Sequence, residues 1–341
     1  MSESYLKDLA KELVDRIPAL TLTKSVPTAL ENTYSNLSFM EHTVKDVVAD
    51  VKPDSQSAII IASGPSLHLQ NPVETILSEQ YAGTIVCADG ALPYCLRNGL
   101  IPDYVVTLDP HPTRIVRWFG DPELDNTALT QDDYFRRQDL DPHMEEKELE
   151  RNSELITLLN QNAHGIKCII ATCSSKAVRD RCISSGMQLY WWNPLYDDID
   201  TENSITRQAY NINHAPCLAT GGNTGSSAWV FANVILKKTQ IALVGMDFGY
   251  APGTPLNKTQ YYKEALDLFG DHIEDAFIDI FNPYTQEQWF TDPTYYWYRQ
   301  VFLNMIQQTD VTTYNCTQGG TLFGDGLGFK PLLEFLNDQK R

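Results

Sequence analysis

The chain has 341 residues, with 26 basic and 44 acidic side chains and a formal net charge of -18. A charge of that sign excludes nucleic acid as the main partner, because phosphate contacts need a basic stripe, and it speaks against docking on anionic lipid. Apolar residues at 43% and charged residues at 21% give an ordinary globular balance, enough for one large domain or two modest ones with a buried core.

In chain order, the first fifty residues read as helices. Leu6, Leu9, Leu13 and Ile17 recur at helical spacing, and Leu30, Tyr34, Leu37, Val44 and Val48 repeat the stripe less regularly. Pro53-Asp54 ends this segment. Short apolar runs then alternate with stretches of helical period. Strands are predicted at Ala58–Ala62, Thr84–Ala88, Tyr104–Leu108, Lys167–Ala171, Gln188–Trp192 and Ile241–Val244. Helices are predicted between them at Pro72–Gln80, Ala91–Asn98, Lys176–Ser185 and Ser226–Lys237. Nearly continuous apolar strands alternating with helices predict an α/β fold, Rossmann-like, with a mostly parallel, doubly wound sheet.

Two stretches break the alternation. Gly120–Arg151 holds eleven acidic and four basic residues and reads as an exposed acidic insertion running into a helix near Leu149–Leu159. After Tyr250 the chain is rich in aromatic residues and reads as helices and loops packed over one end of the sheet. The expected organisation is an N-terminal helical segment (1–52), the core (53–250) with its insertion (120–151), and a C-terminal helical and loop cap completing the core (251–341).

The seven cysteines include no CxxC pair and lie mostly in or beside apolar runs, so free thiols are expected, not a disulfide framework. No run approaches the roughly 20 apolar residues that span a bilayer. The expected location is cytoplasmic, with no membrane span and no nucleic-acid partner.

In an open parallel sheet, ligands bind outside the carboxyl ends of the strands, so the residues just past each strand carry the information. Ser63-Gly64-Pro65-Ser66 comes after the first strand, Asp89-Gly90 after the second, and Asp109-Pro110-His111 after the third. Cys173-Ser174-Ser175-Lys176 comes after the fourth and Gly245-Met246-Asp247 after the sixth. A Gly-containing turn after a strand lets backbone N–H groups approach a phosphate, which makes Ser63, Gly64, Pro65, Ser66 and Gly90 candidates; a plain strand-to-helix turn is the alternative. The segment Thr220–Ser227 places Gly222, Asn223 and Thr224 before an apolar helix, either presenting donors to a nucleotide or capping that helix. Ser174 and Lys176 complete the nucleotide-binding candidates, and Arg114 and Arg117 are further cations near the rim.

Asp89, Asp109 and Asp247 are the candidate catalytic carboxylates. At a strand end such a group binds a metal, accepts from a ribose hydroxyl or acts as a general base, or it caps a turn. His111 is the one histidine at the expected rim; His214 and His272 are weaker candidates. No HExxH, EF-hand, Walker A loop or GxSxG elbow occurs.

The blocks Ile60–Leu67 (IIASGPSL), Cys87–Ala91 (CADGA), Gly99–Asp109 (GLIPDYVVTLD), Thr220–Thr224 (TGGNT), Ile241–Tyr250 (IALVGMDFGY) and Asn315–Gly320 (NCTQGG) resemble the motility accessory factor (Maf) proteins. The same domain carries the name of the archaeal 6-hydroxymethylpterin diphosphokinase, and the resemblance spans about residues 55–325. It implies a Rossmann-like core close to that of bacterial sialyltransferases. It also implies a nucleotide-dependent transferase moving a nonulosonic (sialic-like) sugar from a CMP-activated donor to a hydroxyl on a protein or glycan acceptor. Under it Gly64–Ser66 and Asn223-Thr224 hold the nucleotide, and the three aspartates organise the site.

The chain departs from the family pattern in three places. Ala251–Lys258 lacks a histidine, Gln318 stands where an acid usually precedes the Gly-Gly block, and Asp109 is followed by Pro110-His111 and not by a second aspartate of a D-x-D pair. A Mg²⁺-dependent diphosphokinase acting on a pterin-like alcohol is the second reading, with Mg²⁺ as its candidate cofactor. A catalytically inactive nucleotide-sugar-binding protein is the third.

Overall fold

The computed structural model describes residues 26–47, 56–131 and 147–340. The stripe Leu6–Ile17, the Pro53-Asp54 break and the middle of the acidic insertion lie outside these residues. The strands are β1 (Ser57–Ile61), β2 (Thr84–Ala88), β3 (Tyr104–Thr107), β4 (Lys167–Ala171), β5 (Gln188–Pro194), β6 (Cys217–Leu218), β7 (Gln240–Val244), β8 (Ile278–Asn282), β9 (Glu287–Thr291), β10 (Thr312–Asn315) and β11 (Leu327–Phe329). Nine of them form one sheet in the order β11-β10-β7-β1-β2-β3-β4-β5-β6, and β8 and β9 form an antiparallel hairpin. Every pairing in the large sheet is parallel.

Parallel strands are joined by crossovers that put helices on both faces, so a strand must be apolar on both sides. β1 meets this demand: all five of its residues are buried, and their side chains alternate between two cores. Ile59 and Ile61 join a cluster with residues of the helices Pro72–Ser78, Glu148–Asn162, Lys176–Ser185 and Leu332–Asp338. Ala58 and Ile60 join a cluster on the other face with Ala29, Ala228, Phe302 and Ile306, from the helices at 26–36, Thr224–Val230 and Pro293–Gln307. The fold is therefore a three-layer α/β arrangement, as the apolar runs imply.

The chain runs outward from β1 to β6, then returns to lay β7 on the opposite side of β1. The strand order reverses there, opening a crevice between the loops that leave β1 and β7. The register Ile61↔Val244 brings those two loops off the sheet side by side.

Elements differ from expectation mainly after Tyr250. The C-terminal part does not only pack over the sheet; it contributes β10 beside β7, and β11 beside β10. The hairpin is fastened to the chain beyond β7 by a bridge between Tyr250 and Phe290. The helix expected at Ser226–Lys237 starts at Thr224, where Asn223 caps it by accepting from the Ser226 N–H, and its last turn widens into a π-helix at Phe231–Ile235. No helix among the described residues is long and apolar enough to cross a membrane.

Candidate functional site

A cavity of about 380 Å³ opens over the carboxyl ends of β1, β2, β3 and β7, a volume suited to a small ligand. Its lining includes Ser63, Gly64, Pro65, Asp89, Gly90, Asp109, Gly222, Asn223, Thr224 and Asp247. Ten of the residues singled out in the sequence thus meet in one place.

Asp247 sits in the crevice between the β1 and β7 loops. Its Oδ2 accepts from both the backbone N–H of Ser66 (3.1 Å) and the Ser66 hydroxyl (2.8 Å), while Oδ1 has no hydrogen-bond partner among the described residues. The carboxyl is 2% exposed, and burial pushes it up to about 7, against the lowering effect of the Ser66 donors. Gly64 is required by this packing: a Cβ there would stand 2.1 Å from Oδ2 and 2.6 Å from the carbonyl oxygen of Gly245.

Asp89 bridges the ends of β2 and β3. Its Oδ1 accepts from the Gly90 N–H (2.8 Å) and its Oδ2 from the Thr107 hydroxyl (2.8 Å). Burial raises it to about 7; the Thr107, Gly90 and Thr224 hydrogen bonds oppose that shift, and the neighbouring Asp109 charge adds to it. Thr224, at the first turn of its helix, thereby ties the TGGNT loop to the carboxylates.

Asp109 is the carboxyl most open to the lumen: its surface is exposed, yet the protein packed around it raises its pKa by desolvation. Its Oδ1 accepts from the His111 N–H at 2.7 Å, and the charges of His111 and Arg114 oppose the rise. A carboxylate that is both reachable and displaced upward is suited to taking a proton.

Four sequence candidates lie off the lining. Ser66 is buried, with its hydroxyl and N–H both directed at Asp247, so it positions a carboxyl where a phosphate contact was expected. His111 turns its Nδ1 to the backbone N–H groups of Thr113 (3.3 Å) and Arg114 (3.2 Å), closing a turn beside the cavity. Ser174 is fully buried, its carbonyl accepting from Asn36. Lys176 is exposed in the first turn of its helix, away from the cavity. His214 caps the end of the helix Ile205–Asn213 in a left-handed conformation, and His272 is paired at the surface with Asp275.

The aromatic C-terminal segment supplies what the sequence reading gave to packing. Tyr250, Tyr261, Tyr295 and Tyr298 form one wall of the cavity, with Gln260 among them and Lys258 beside them. Tyr250 donates to Asp292 Oδ2 (2.6 Å) and accepts from the Gln260 N–H (3.1 Å); Gln260 also meets the hydroxyls of Tyr261 and Tyr295. Asp292 in turn caps the helix Pro293–Gln307 through the Tyr295 N–H. The run Tyr295-Tyr296-Trp297-Tyr298 was visible in the sequence, but the face of the helix that meets the cavity depends on how that helix docks. Across the lumen, Trp118 and Ala29 complete the wall.

Mg²⁺, the cofactor of the diphosphokinase reading, is commonly held by one or two carboxylates together with substrate phosphates, and Asp109 is the exposed carboxylate on the lining. Both oxygens of Asp89 already accept hydrogen bonds, and among the described residues no group of three or more His, Cys, Asp or Glu side chains converges on one point.

Residues 29–130 match the family described as 6-hydroxymethylpterin diphosphokinase MptE-like. A stretch of 53 residues is 42% identical to an uncharacterized protein of Treponema pallidum (strain Nichols), covering 16% of this chain and 24% of that protein. The solved structure of a MAf glycosyltransferase from Magnetospirillum magneticum AMB-1 is similar in fold, with a TM-score of 0.52 at 13% identity, over 91% of this chain and 40% of that one. The chain thus spans well under half the length of the relatives it matches. The family match and the fold agree with the resemblance carried by the sequence blocks.

Proposed function

We propose that this chain, Maf- and MptE-like in its residues 29–130 and in its fold, is a nucleotide-dependent transferase that moves a glycosyl unit from a nucleotide-activated sugar to a hydroxyl acceptor. The observation that carries this reading is the cavity at the reversal of strand order, where Asp89, Asp109 and Asp247 meet two Gly-containing loops.

In this reading the loops Ser63–Pro65 and Gly222–Thr224 approach the nucleotide, and Lys258 balances the charge of its phosphate. Asp109 takes the proton of the acceptor hydroxyl. The freed oxygen attacks the anomeric carbon, and the bond from that carbon to the phosphate oxygen breaks, leaving its electron pair on the phosphate. The Asp109 charge adds to the burial that favours the protonated form of Asp89, and Ser66 holds Asp247 in place. The tyrosine wall excludes water from the transfer. The sequence blocks suggest a CMP-activated nonulosonic sugar as donor; the transfer chemistry does not depend on that choice.

Thermal shift against CMP, CMP-N-acetylneuraminate, UDP-glucose, ATP and GTP, each with and without Mg²⁺, tests the reading. The expected outcome is stabilisation by a nucleotide or nucleotide sugar in the absence of metal, growing as the logarithm of ligand concentration. Stabilisation by ATP only when Mg²⁺ is present would replace this reading with the diphosphokinase.

A further inference from the structure

The balance of charge on the cavity wall bears on which sugar the site takes. Three carboxyl groups line the lumen, Asp89, Asp109 and Asp247, against one lysine, Lys258, and the imidazole of His68. No arginine lines it among the described residues. Neither Asp89 nor Asp247 is balanced by a cation: hydroxyl and backbone N–H groups alone oppose the desolvation of each. Asp109 feels His111 and Arg114, yet neither of these lines the lumen. A nucleotide's phosphate would engage Lys258, leaving no lining cation for a second anionic group on the ligand.

Hydrogen-bond capacity points the same way. Asp247 lines the cavity, but its Oδ1, which has no hydrogen-bond partner among the described residues, is buried against Gly320 and closed to a ligand. Asp109 Oδ1 is held by the His111 N–H, and among the described residues its Oδ2 accepts no hydrogen bond. Asp109 therefore offers its ligand an acceptor and asks for a donor in return. Hydroxyl and amide N–H groups answer that demand; a carboxylate cannot, being an acceptor alone when ionised. The opposite wall, Tyr261, Tyr295 and Tyr298, gives rings for the apolar face of a pyranose.

We infer that the glycosyl subsite of this cavity selects an uncharged, hydroxyl- or amide-bearing sugar and rejects a carboxylated one. The inference rests on the transferase reading above and departs from the acidic nonulosonic donor that the sequence blocks suggest. Asp109 is the specificity-determining residue, because it is the carboxyl most open to the lumen.

The test compares donors that differ only in the carboxylate. Dissociation constants are measured by calorimetry at pH 8, without added metal, for UDP-glucose and UDP-glucuronate, and for CMP and CMP-N-acetylneuraminate, with wild type and Asp109→Asn. The expected result is at least roughly tenfold weaker binding of UDP-glucuronate than of UDP-glucose, and no gain from the sugar of CMP-N-acetylneuraminate over CMP alone. Asp109→Asn should narrow the glucose-to-glucuronate ratio about threefold or more, a readout that a merely structural role for Asp109 would not move. Equal or tighter binding of the carboxylated partner, or a ratio unchanged in the variant while it stays folded by circular dichroism, overturns this inference and leaves the transferase reading in place. Silence toward every nucleotide overturns both.

Discussion

Asp247 shows how much the site depends on one side chain being kept in an unfavourable place. A carboxyl that titrates near 7 in the fold and near 4 in the unfolded chain favours folding fully below pH 4. That contribution is lost as pH rises from about 4 through about 7, where the fold must hold a buried charge. Asn has the same shape: its carbonyl can take the Ser66 donors, and it carries no charge. Asp247→Asn is therefore expected to match wild type in melting temperature near pH 4 and to exceed it by about 2 °C or more at pH 8, with nucleotide binding weakened. Melting curves at the two pH values check this, and a variant less stable than wild type at pH 8 would show that Asp247 is not held at the cost of stability. Gly64 is fixed by the same geometry, since no side chain fits between Asp247 Oδ2 and the Gly245 carbonyl.

The helix at 26–36 governs the far wall of the cavity through two asparagines. Asn32 donates to the carbonyls of Pro110 (3.1 Å) and Cys173 (2.8 Å), and Asn36 to those of Thr172 (2.9 Å) and Ser174 (2.8 Å). These four carbonyls lie in the loops that leave β3 and β4. The Arg179 guanidinium completes the joint, donating to Asn36 Oδ1 at 3.0 Å and covering the Phe39 ring at 3.8 Å. Asn36→Ala leaves two buried carbonyls and a buried guanidinium short of partners. It should cost about 1–3 kcal/mol, seen as a lower urea midpoint with unchanged slope. An unchanged midpoint would show that water replaces the amide.

None of this joint was legible in the sequence, where residues 30–48 read only as an apolar stripe. Asn36 and Thr172 are 136 residues apart, and no local pattern records a contact of that reach. The apolar strands were legible because burial on both faces forces an apolar residue at nearly every position, as in Ile59-Ile60-Ile61. The aspartates were legible because a strand end fixes where the next residues point. Ser66 was not, because a hydroxyl looks the same whether it faces a phosphate or a carboxylate.

At the scale of the molecule, β10 and β11 were missed for a related reason. Thr312-Thr313-Tyr314-Asn315 lacks the aliphatic run of its neighbours, although it lies between β7 and β11 inside the sheet. It is stabilised by pairing and by neighbours such as Trp229, whose indole N–H donates to the Thr313 hydroxyl at 3.0 Å. The helix Leu332–Asp338 then places Leu332, Phe335 and Leu336 in one of the two cores. A chain ending at residue 310 would expose the whole edge of β7 and strip that core of four buried side chains, Cys316 among them. It is expected to aggregate on expression where the full chain stays soluble. Sedimentation of the two lysates checks it, and a soluble, cooperatively melting fragment would mean that β10 and β11 are dispensable.

The return of the chain to β1 also orders events in time. Ser66 and Asp247 touch across 181 residues of sequence, so the crevice between them does not exist until the strand after residue 240 has been made and docked. A growing polypeptide can pair β1 with β2 and β2 with β3 well before that, and would present two acidic strand ends with no third carboxyl and no tyrosine wall. Ligand recognition is thus withheld until the lining as far as Tyr298 has been made. Once β7 has docked, a bound ligand joins loops that are made far apart in time, and its binding energy stabilises the sheet as a whole.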